Sequence, residues 1–143
     1  MKFLTLAILS LLLPIVLANP AKAENPDHVR QLLLTGSCAG CDLAGADLSQ
    51  THLIGADLRY TNLEGANLTE TNLEGADLTS ANLREADLTD ALLTNAILNF
   101  ANLDHVNLTR AQMYHAEVSG ASMDNINLTN AQVIGTPISI GGE

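Results

Sequence analysis

The sequence predicts an all-β solenoid, in which short extended segments wind around one axis and stack on each other. Leucine or another apolar residue recurs every five residues from position 43 to position 138, and the residue two places before it is usually small. A helix face recurs about every three to four residues and a strand face about every two, so neither fits this period. A fixed period over such a length indicates units that bury their apolar faces only by stacking.

The composition narrows the class of protein further. The 143 residues are 47% hydrophobic but only 3% aromatic, and the formal net charge is -10. This hydrophobic content is too high for a disordered acidic chain. Six lysines and arginines are too few to hold a nucleic acid by its phosphates, and two cysteines are too few for a disulfide-packed miniprotein. We therefore predict one folded domain that binds no nucleic acid.

The first segment, residues 1–23, has the order of a secretory signal peptide. Lys2 is followed by an apolar stretch from Phe3 to Leu17 and by the small-residue site Ala21-Lys22-Ala23. The alternative is an uncleaved anchor, but the stretch is shorter than the roughly 20 residues of a spanning helix. Cleavage after Ala23 removes both lysines and changes the formal charge from -10 to -12. We expect an exported protein without membrane contact after cleavage.

Residues 24–36 predict a short helix that caps the start of the solenoid. Asn25-Pro26-Asp27 reads as an N-cap, a proline at the first helical position and an acid in the first turn. Gly36 would end the helix just beyond Leu34. Val29, Leu32 and Leu33 are expected to lie on the first coil.

Residues 37–140 carry the repeat itself. In a unit such as Ala46-Asp47-Leu48 the outer two residues point inward and the acid points outward, as in a short strand. The following two residues must turn the chain. Four glycines recur at the second turn position, where a positive φ is expected: Gly45, Gly55, Gly65 and Gly75.

Seven of the units read ADLSQ, ADLRY, ANLTE, ADLTS, ANLRE, ADLTD and ANLDH. This pattern resembles that of the pentapeptide repeat proteins over residues 41 to about 140. The resemblance implies a right-handed quadrilateral β-helix with one pentapeptide per side, four per coil and about five coils. Residues 20 apart would then stack, so that Leu43, Leu63, Leu83, Leu103 and Met123 form one of four inner ladders. Val106 and Ile126, in the place of a small residue, should force local adjustment.

The far end of the solenoid lacks an obvious cap. Only a short tail, residues 141–143, follows the repeats, so Leu128, Val133 and Ile138 of the last coil need another cover. Two alternatives stay open: a second copy of the chain docks there as a homodimer through the C-terminal coil, or the tail folds across the end.

Cys38 and Cys41 form a Cys-x-x-Cys motif at the junction between helix and coil. In an exported protein such a pair favours a structural disulfide, although free buried thiols remain an alternative. Redox catalysis would need a βαβ context that the sequence lacks.

No other residues form a reactive constellation. His28, His52, His105 and His115 have no metal-ligand spacing and read as surface residues. The acids occupy repeated outward positions, with no phosphate loop or nucleophile among them. We predict no catalytic residues, no metal, no cofactor and no enzymatic activity.

Four outward apolar residues interrupt the polar surface. Leu92 and Ile97 replace the usual Asp or Asn on adjacent sides, and Phe100 and Tyr60 occupy turns along one edge. Such a patch is a candidate protein interface, although scattered surface hydrophobes would look the same.

The predicted function is therefore a structural or protein-interaction module with an unknown protein partner. The resemblance adds that exported members are found in the periplasm or the thylakoid lumen. It also supplies an alternative, because some members imitate DNA in shape and charge and bind gyrase. The acidity of this chain suits that alternative, whereas its signal peptide does not.

Overall fold

The computed structural model describes residues 24–138 as one helix followed by a four-sided column. Helix α1 spans Pro26–Thr35, and the rest of the described chain winds as a solenoid. The predicted signal peptide and residues 139–143, which include the predicted tail, lie outside the described residues. No helix in the described part is long and apolar enough to cross a membrane.

The column is held in register by parallel bridges between residues 20 positions apart. These run from Ser37 paired with Asp57 to Gln112 paired with Gln132. Each five-residue unit ends in a two-residue turn, so four turns separate each residue from the one stacked on it. The expected stacking of residues 20 apart is confirmed, and the strands shrink to single bridge pairs because each side contributes one bridging residue.

Each repeat uses its backbone groups both within the turn and between coils. The N–H of Leu43 donates to the carbonyl oxygen of Asn62 at 2.7 Å, and the N–H of Asn62 donates to that of Cys41 at 2.9 Å. The turn closes through the N–H of Ala46, which donates to the carbonyl oxygen of Leu43 at 3.1 Å. The solenoid thereby pairs backbone groups that would be costly to bury alone.

Leucine and alanine fill the interior, as the inward positions of the repeat predict. The central residues from Leu43 to Met113 are buried, as are the small residues between them apart from the half-buried Thr51. Val106 is fully buried as well, whereas Ile126 in the last coil is only partly covered. Thr61 and Thr71 replace alanine without an unpaired hydroxyl, because they donate to the carbonyl oxygens of Cys38 and Leu48, both at 2.8 Å.

The second residue of every turn adopts the left-handed conformation. Gly45, Gly55, Gly65 and Gly75 have φ values of 69, 64, 65 and 64°, which confirms the expectation for these glycines. The same conformation is imposed on residues with side chains, including Glu85 at 59° and Phe100 at 59°. Hydrogen bonding between coils holds these residues in a region that costs an L-residue about 1–2 kcal/mol.

Helix α1 lies against the first coil and covers its apolar end. The side chain of Asn25 accepts from the backbone N–H groups of Asp27 and His28, and Gly36 follows the helix at φ 67°. Leu32 is fully buried and Val29 packs against the core. The expectation for Leu33 is wrong: it is 53% exposed, because the contact with the narrow coil covers only the stripe through Val29 and Leu32.

Candidate interaction surfaces

The N-terminal edge of the column is closed by side chains as well as by α1. In later coils an N–H such as that of Asn62 donates to a carbonyl of the coil before it. The first coil has no earlier coil, and His28 Nδ1 accepts from the N–H of Asp42 at 3.0 Å instead. Glu24 Oε2 accepts from the N–H of Asp47 at 3.2 Å. His28 is therefore a capping residue, which its isolated place in the sequence did not reveal.

The C-terminal end differs, because its apolar residues are only partly covered. Met123, Leu128 and Val133 pack against the core but are not fully buried, in contrast to Leu43 and Leu48 of the first coil. Within residues 24–138, no helix covers this end. The two ends of the column therefore differ: one end is capped, and the other presents apolar side chains.

The two cysteines lie at the junction of α1 and the first coil. Their sulfur atoms are 2.01 Å apart, a disulfide bonding distance, and their Cα atoms are 5.3 Å apart. Cys38 is fully buried and Cys41 is 6% exposed. The described helix precedes this pair and does not begin at it, unlike the arrangement that activates a catalytic Cys-x-x-Cys.

The four predicted patch residues divide into two classes. Tyr60 and Phe100 are each 68% exposed, whereas Leu92 and Ile97 are half-buried. Leu92 bridges the residues above and below it on one side of the column, and Ile97 does so on the adjacent side. Tyr60 and Phe100 share an edge and are separated by the coil that contains Ser80.

Phe100 also contacts a glycine that the repeat pattern did not single out. A Cβ atom placed on Gly120 would lie 2.7 Å from Phe100 Cδ1, so the ring rests on the backbone of the next coil. No such atom lies within 4 Å of the corresponding position on Gly55. Gly120 thus allows both the left-handed turn and the close packing of the Phe100 ring. The apolar surface of Phe100 extends along the edge of the column that the two residues share.

The polar sides are tied together by their own side chains. Asn67 Nδ2 donates to Asp47 Oδ1 at 3.1 Å, and Asn107 Nδ2 donates to Asp87 Oδ1 at 3.2 Å. Thr89 Oγ1 donates to the same Asp87 oxygen at 2.6 Å. These groups satisfy each other in ladders, which stabilise the column and leave little hydrogen-bonding capacity for a ligand.

Ion pairs follow the stacking of coils only in part. Arg110 Nε donates to Asp90 Oδ1 in the next lower coil at 2.8 Å, as their stacked positions predict. Arg84 instead pairs with its sequence neighbour Glu85 at 3.0 Å. Arg59 pairs with Asp57 of its own repeat at 2.8 Å. All these pairs are solvent-exposed, so each contributes little to stability.

The acids that show a shift are poor candidates for proton donors. Hydrogen bonds lower the pKa of four aspartates: Ser49 acts on Asp47, Arg59 on Asp57, Arg110 on Asp90 and Ser122 on Asp104. A general acid near neutral pH needs a raised pKa instead. In the described part of the chain, no cluster of His, Cys, Asp and Glu could hold a metal ion.

Comparison with known proteins agrees with this architecture. The family model described as pentapeptide repeats matches eight copies, over residues 37–75, 71–110 and 107–136. A pentapeptide repeat protein from the Arabidopsis thaliana thylakoid lumen is 30% identical, with a TM-score of 0.51, over 73% of this chain and 69% of that one. The pentapeptide repeat protein Rfr23 from the cyanobacterium Cyanothece 51142 is 26% identical, with a TM-score of 0.42, over 80% and 95%.

A comparison with curated proteins gave no match. The matched repeats cover most of the chain, and their period is the one that the bridges display. Proteins built from these repeats form right-handed quadrilateral β-helices and are generally structural modules without catalytic activity. The chain therefore belongs to the pentapeptide repeat family.

Proposed function

We propose that this protein is a non-enzymatic protein-interaction module of an exported compartment, either a periplasm or a thylakoid lumen. The observation that carries the proposal is the placement of apolar side chains. The interior is filled by leucine and alanine, yet Tyr60 and Phe100 are each 68% exposed on the outer surface. A filled column offers contact surfaces rather than a reaction chamber.

Pull-down after crosslinking in the native compartment tests this role. We expect the wild-type chain to recover a protein partner and the variant Leu92→Asp/Phe100→Asp to lose it. The matched control is Gln50→Asp/Asn130→Asp, which adds two acids on another edge at turn positions that resemble that of Asp90. Equal recovery by the patch variant and by the wild type would refute the patch.

Export is supported by the order of charged, apolar and small residues in positions 1–23. The 30% identical relative from a thylakoid lumen adds to this support. Mass spectrometry of the protein isolated from the exported fraction should find Glu24 at the N-terminus. A mature chain recovered from the cytoplasm would contradict the proposal.

An oxidising compartment also suits the cysteine pair, and we assign Cys38 and Cys41 to a structural disulfide. Both cysteines are buried, and their Cα atoms lie 5.3 Å apart, within the range that a disulfide spans. Alkylation of the unfolded, unreduced protein should label neither cysteine. Because the bridge spans only three positions, Cys38→Ser/Cys41→Ser should lower stability modestly and leave partner recovery intact.

The partly covered last coil fits a second copy of the chain. The two copies would form a homodimer in which their C-terminal ends face each other. Helix α1 blocks the other end, so two copies can meet only through their C-terminal coils and the assembly closes at two. Sedimentation at rising concentration should show a mass of two chains. A monomer at high concentration would refute the homodimer.

The alternative, an inhibitor that imitates DNA and binds gyrase, has weaker support. It draws on the acidity of the chain, but the acids alternate with asparagine and threonine along the polar sides. Gyrase acts in the cytoplasm, so the fractionation described above also separates the two functions. Inhibition of gyrase by the purified protein at stoichiometric concentration would favour this alternative.

A further inference from the structure

The exposed apolar residues of the column lie on one side of it and the two edges that bound that side. The side itself contains Asp57, Asp77, Ile97 and Glu117, which are joined by bridges in this order. One bounding edge carries Ile54, Tyr114 and Ile134, and the other carries Tyr60 and Phe100. We call this side with its two edges the apolar face.

The sidedness is pronounced, because the remaining edges carry no large exposed hydrophobic residue. Ile54 is 61% exposed, and Tyr60, Phe100 and Ile134 are each 68% exposed. Outside α1, these are all the exposed large hydrophobic residues among positions 24–138. The opposite edge instead runs through Ser49, Thr69, Thr89, Thr109 and Thr129.

The charge of the apolar face restricts its partner. Glu74 and Glu117 are exposed on it, and Asp57 and Asp77 lie beside them. Its only arginine, Arg59, is already engaged by Asp57 at 2.8 Å and lies 3.8 Å from Asp77. A second copy would bring the same excess of acids and be repelled. Two apolar edges with a row of acids between them instead select a partner that offers both apolar and basic residues to the same face.

The dimensions restrict the partner's conformation. Adjacent coils are about 4.8 Å apart, so Ile54 and Ile134, four coils apart by register, span roughly 19 Å. Tyr114 and Ile134 are one coil apart, and Tyr60 and Phe100 are two coils or about 10 Å apart. A helix places apolar side chains about 5 and 10 Å apart at positions i, i+3 or i+4 and i+7, and about 13 residues span 19 Å.

We propose that the apolar face binds a basic amphipathic helix of a protein partner, lying along the axis of the column. This inference rests on the proposed interaction function and adds to it the chemistry and the shape of the partner. The apolar stripe of the helix contacts both edges of the face. These contacts are Tyr60 and Phe100 on one edge, and Ile54, Tyr114 and Ile134 on the other. The acids on the side between these edges, Asp57, Asp77 and Glu117, face basic residues of the helix.

The test uses labelled synthetic peptides of about 18 residues and measures binding by fluorescence anisotropy. One peptide is an amphipathic helix of leucine and lysine, the second replaces lysine by glutamate, and the third scrambles the leucine and lysine order. We expect the first to bind at least about tenfold more tightly than either of the others. Equal binding of the scrambled peptide would mean a general attraction between charges and would overturn the proposal.

Variants locate the binding on the protein. Tyr60→Ser/Phe100→Ser removes both rings at turn positions where Ser80 stands natively in the same column, so the fold should persist. It should weaken binding by about tenfold or more. The control Gln50→Ser/Arg110→Ser alters the same kind of turn position on another edge and should change affinity less than about twofold. Equal losses in both variants would refute the assignment to the apolar face.

The two proposals fail separately. If the pull-down loses its partner with Leu92→Asp/Phe100→Asp but the leucine and lysine helix does not bind, the interaction function stands and the helical partner is refuted. Each protein preparation is also tested against vesicles of neutral phosphatidylcholine. If the peptide binds only to preparations that also bind these vesicles, the face is assigned to membranes instead.

Discussion

Single residues at the turns adopt a left-handed backbone conformation that residues with side chains usually avoid. The second turn position is left-handed whether glycine or a larger residue occupies it, as Gly55 at 64° and Glu85 at 59° show. The hydrogen bonds between coils impose this conformation, and side chains then differ in what they meet. Turn positions with equal φ therefore differ in their tolerance of substitution.

Gly120 and Gly55 provide a matched pair for this point. Gly55→Ala should lower the free energy of unfolding by about 1–2 kcal/mol through its positive φ alone. Gly120→Ala should lower it by about 1–3 kcal/mol more, because the new Cβ would overlap the ring of Phe100. Denaturant unfolding measures both. Adding Phe100→Ser to Gly120→Ala should recover the excess, and failure to do so would contradict the contact.

Stability should also depend on pH through the Asp90–Arg110 pair. The hydrogen bond from Arg110 lowers the pKa of Asp90 below its ordinary value of 3.8. A lowered pKa stabilises the fold above the unfolded-state pKa, and this contribution disappears as the pH falls through the folded-state value. Arg110→Gln should therefore reduce stability slightly near pH 6 and much less near pH 2. A pH-independent difference, measured by denaturant unfolding, would contradict the ion pair.

At the scale of elements, α1 stabilises the column by a narrow contact. Leu32 is fully buried, whereas Leu34 in the same helix is 77% exposed. Side-chain acceptors from the same segment also pair the N–H groups of the first coil. The helix therefore replaces the coil that would otherwise precede residue 37.

Two substitutions in α1 distinguish this capping role from helix propensity. Leu32→Ala should lower the free energy of unfolding by about 2–5 kcal/mol, because it opens a cavity at the junction with the first coil. Leu34→Ala should change it by less than about 0.5 kcal/mol. Denaturant unfolding of both variants provides the measurement. Equal effects would mean that α1 does not pack as described.

A hydrogen bond also joins α1 to the first coil. His28→Ala removes the acceptor at 3.0 Å from the N–H of Asp42, and we expect a loss of about 0.5–1.5 kcal/mol because water can replace the acceptor at this exposed position. The amide of Asp42 should then exchange faster with solvent than in the wild type. Unchanged exchange at Asp42 would show that another acceptor of the protein replaces His28.

For the whole molecule, the difference between the ends predicts an uneven distribution of stability. Stacked repeats interact only with their neighbours, so unprotected ends open first. The first coil is covered by α1, whereas Met123, Leu128 and Val133 of the last coil are partly exposed. The molecule should therefore open from its C-terminal end.

Hydrogen exchange measured at low concentration, where a dimer would dissociate, tests this order. Amides of Leu83 and Leu88 near the middle should exchange much more slowly than the amide of Asn127, which donates to the carbonyl oxygen of Val106. Exchange at Asn127 should slow as the protein concentration rises if two copies meet through this end. Fastest exchange in the first coil would contradict the capping by α1.

The sequence by itself determined the period, the inward residues and the helix with its two caps. These follow from local rules, since a five-residue repeat fixes where the chain turns and which side chains point inward. The stacking of residues 20 apart came instead from the resemblance to pentapeptide repeat proteins, and the four-sided coil that it implies placed Tyr60 and Phe100 on one edge. The sequence could not show that Leu33 points outward or that the ring of Phe100 rests on Gly120, because both depend on packing between segments.

Only the tertiary structure decided which surface features belong together. His28 and Glu24 became acceptors for the first coil because folding of α1 brings them to amides that are distant in sequence. The register of 20 also puts Ile54, Tyr114 and Ile134 on one edge, but only the structure shows that Ile54 and Ile134 are largely exposed there, beside the patch. Their sequence separations of 60 and 20 residues acquire meaning only once four sides close into a coil. Contacts across that closure, unlike the repeat itself, depend on side-chain orientation in three dimensions.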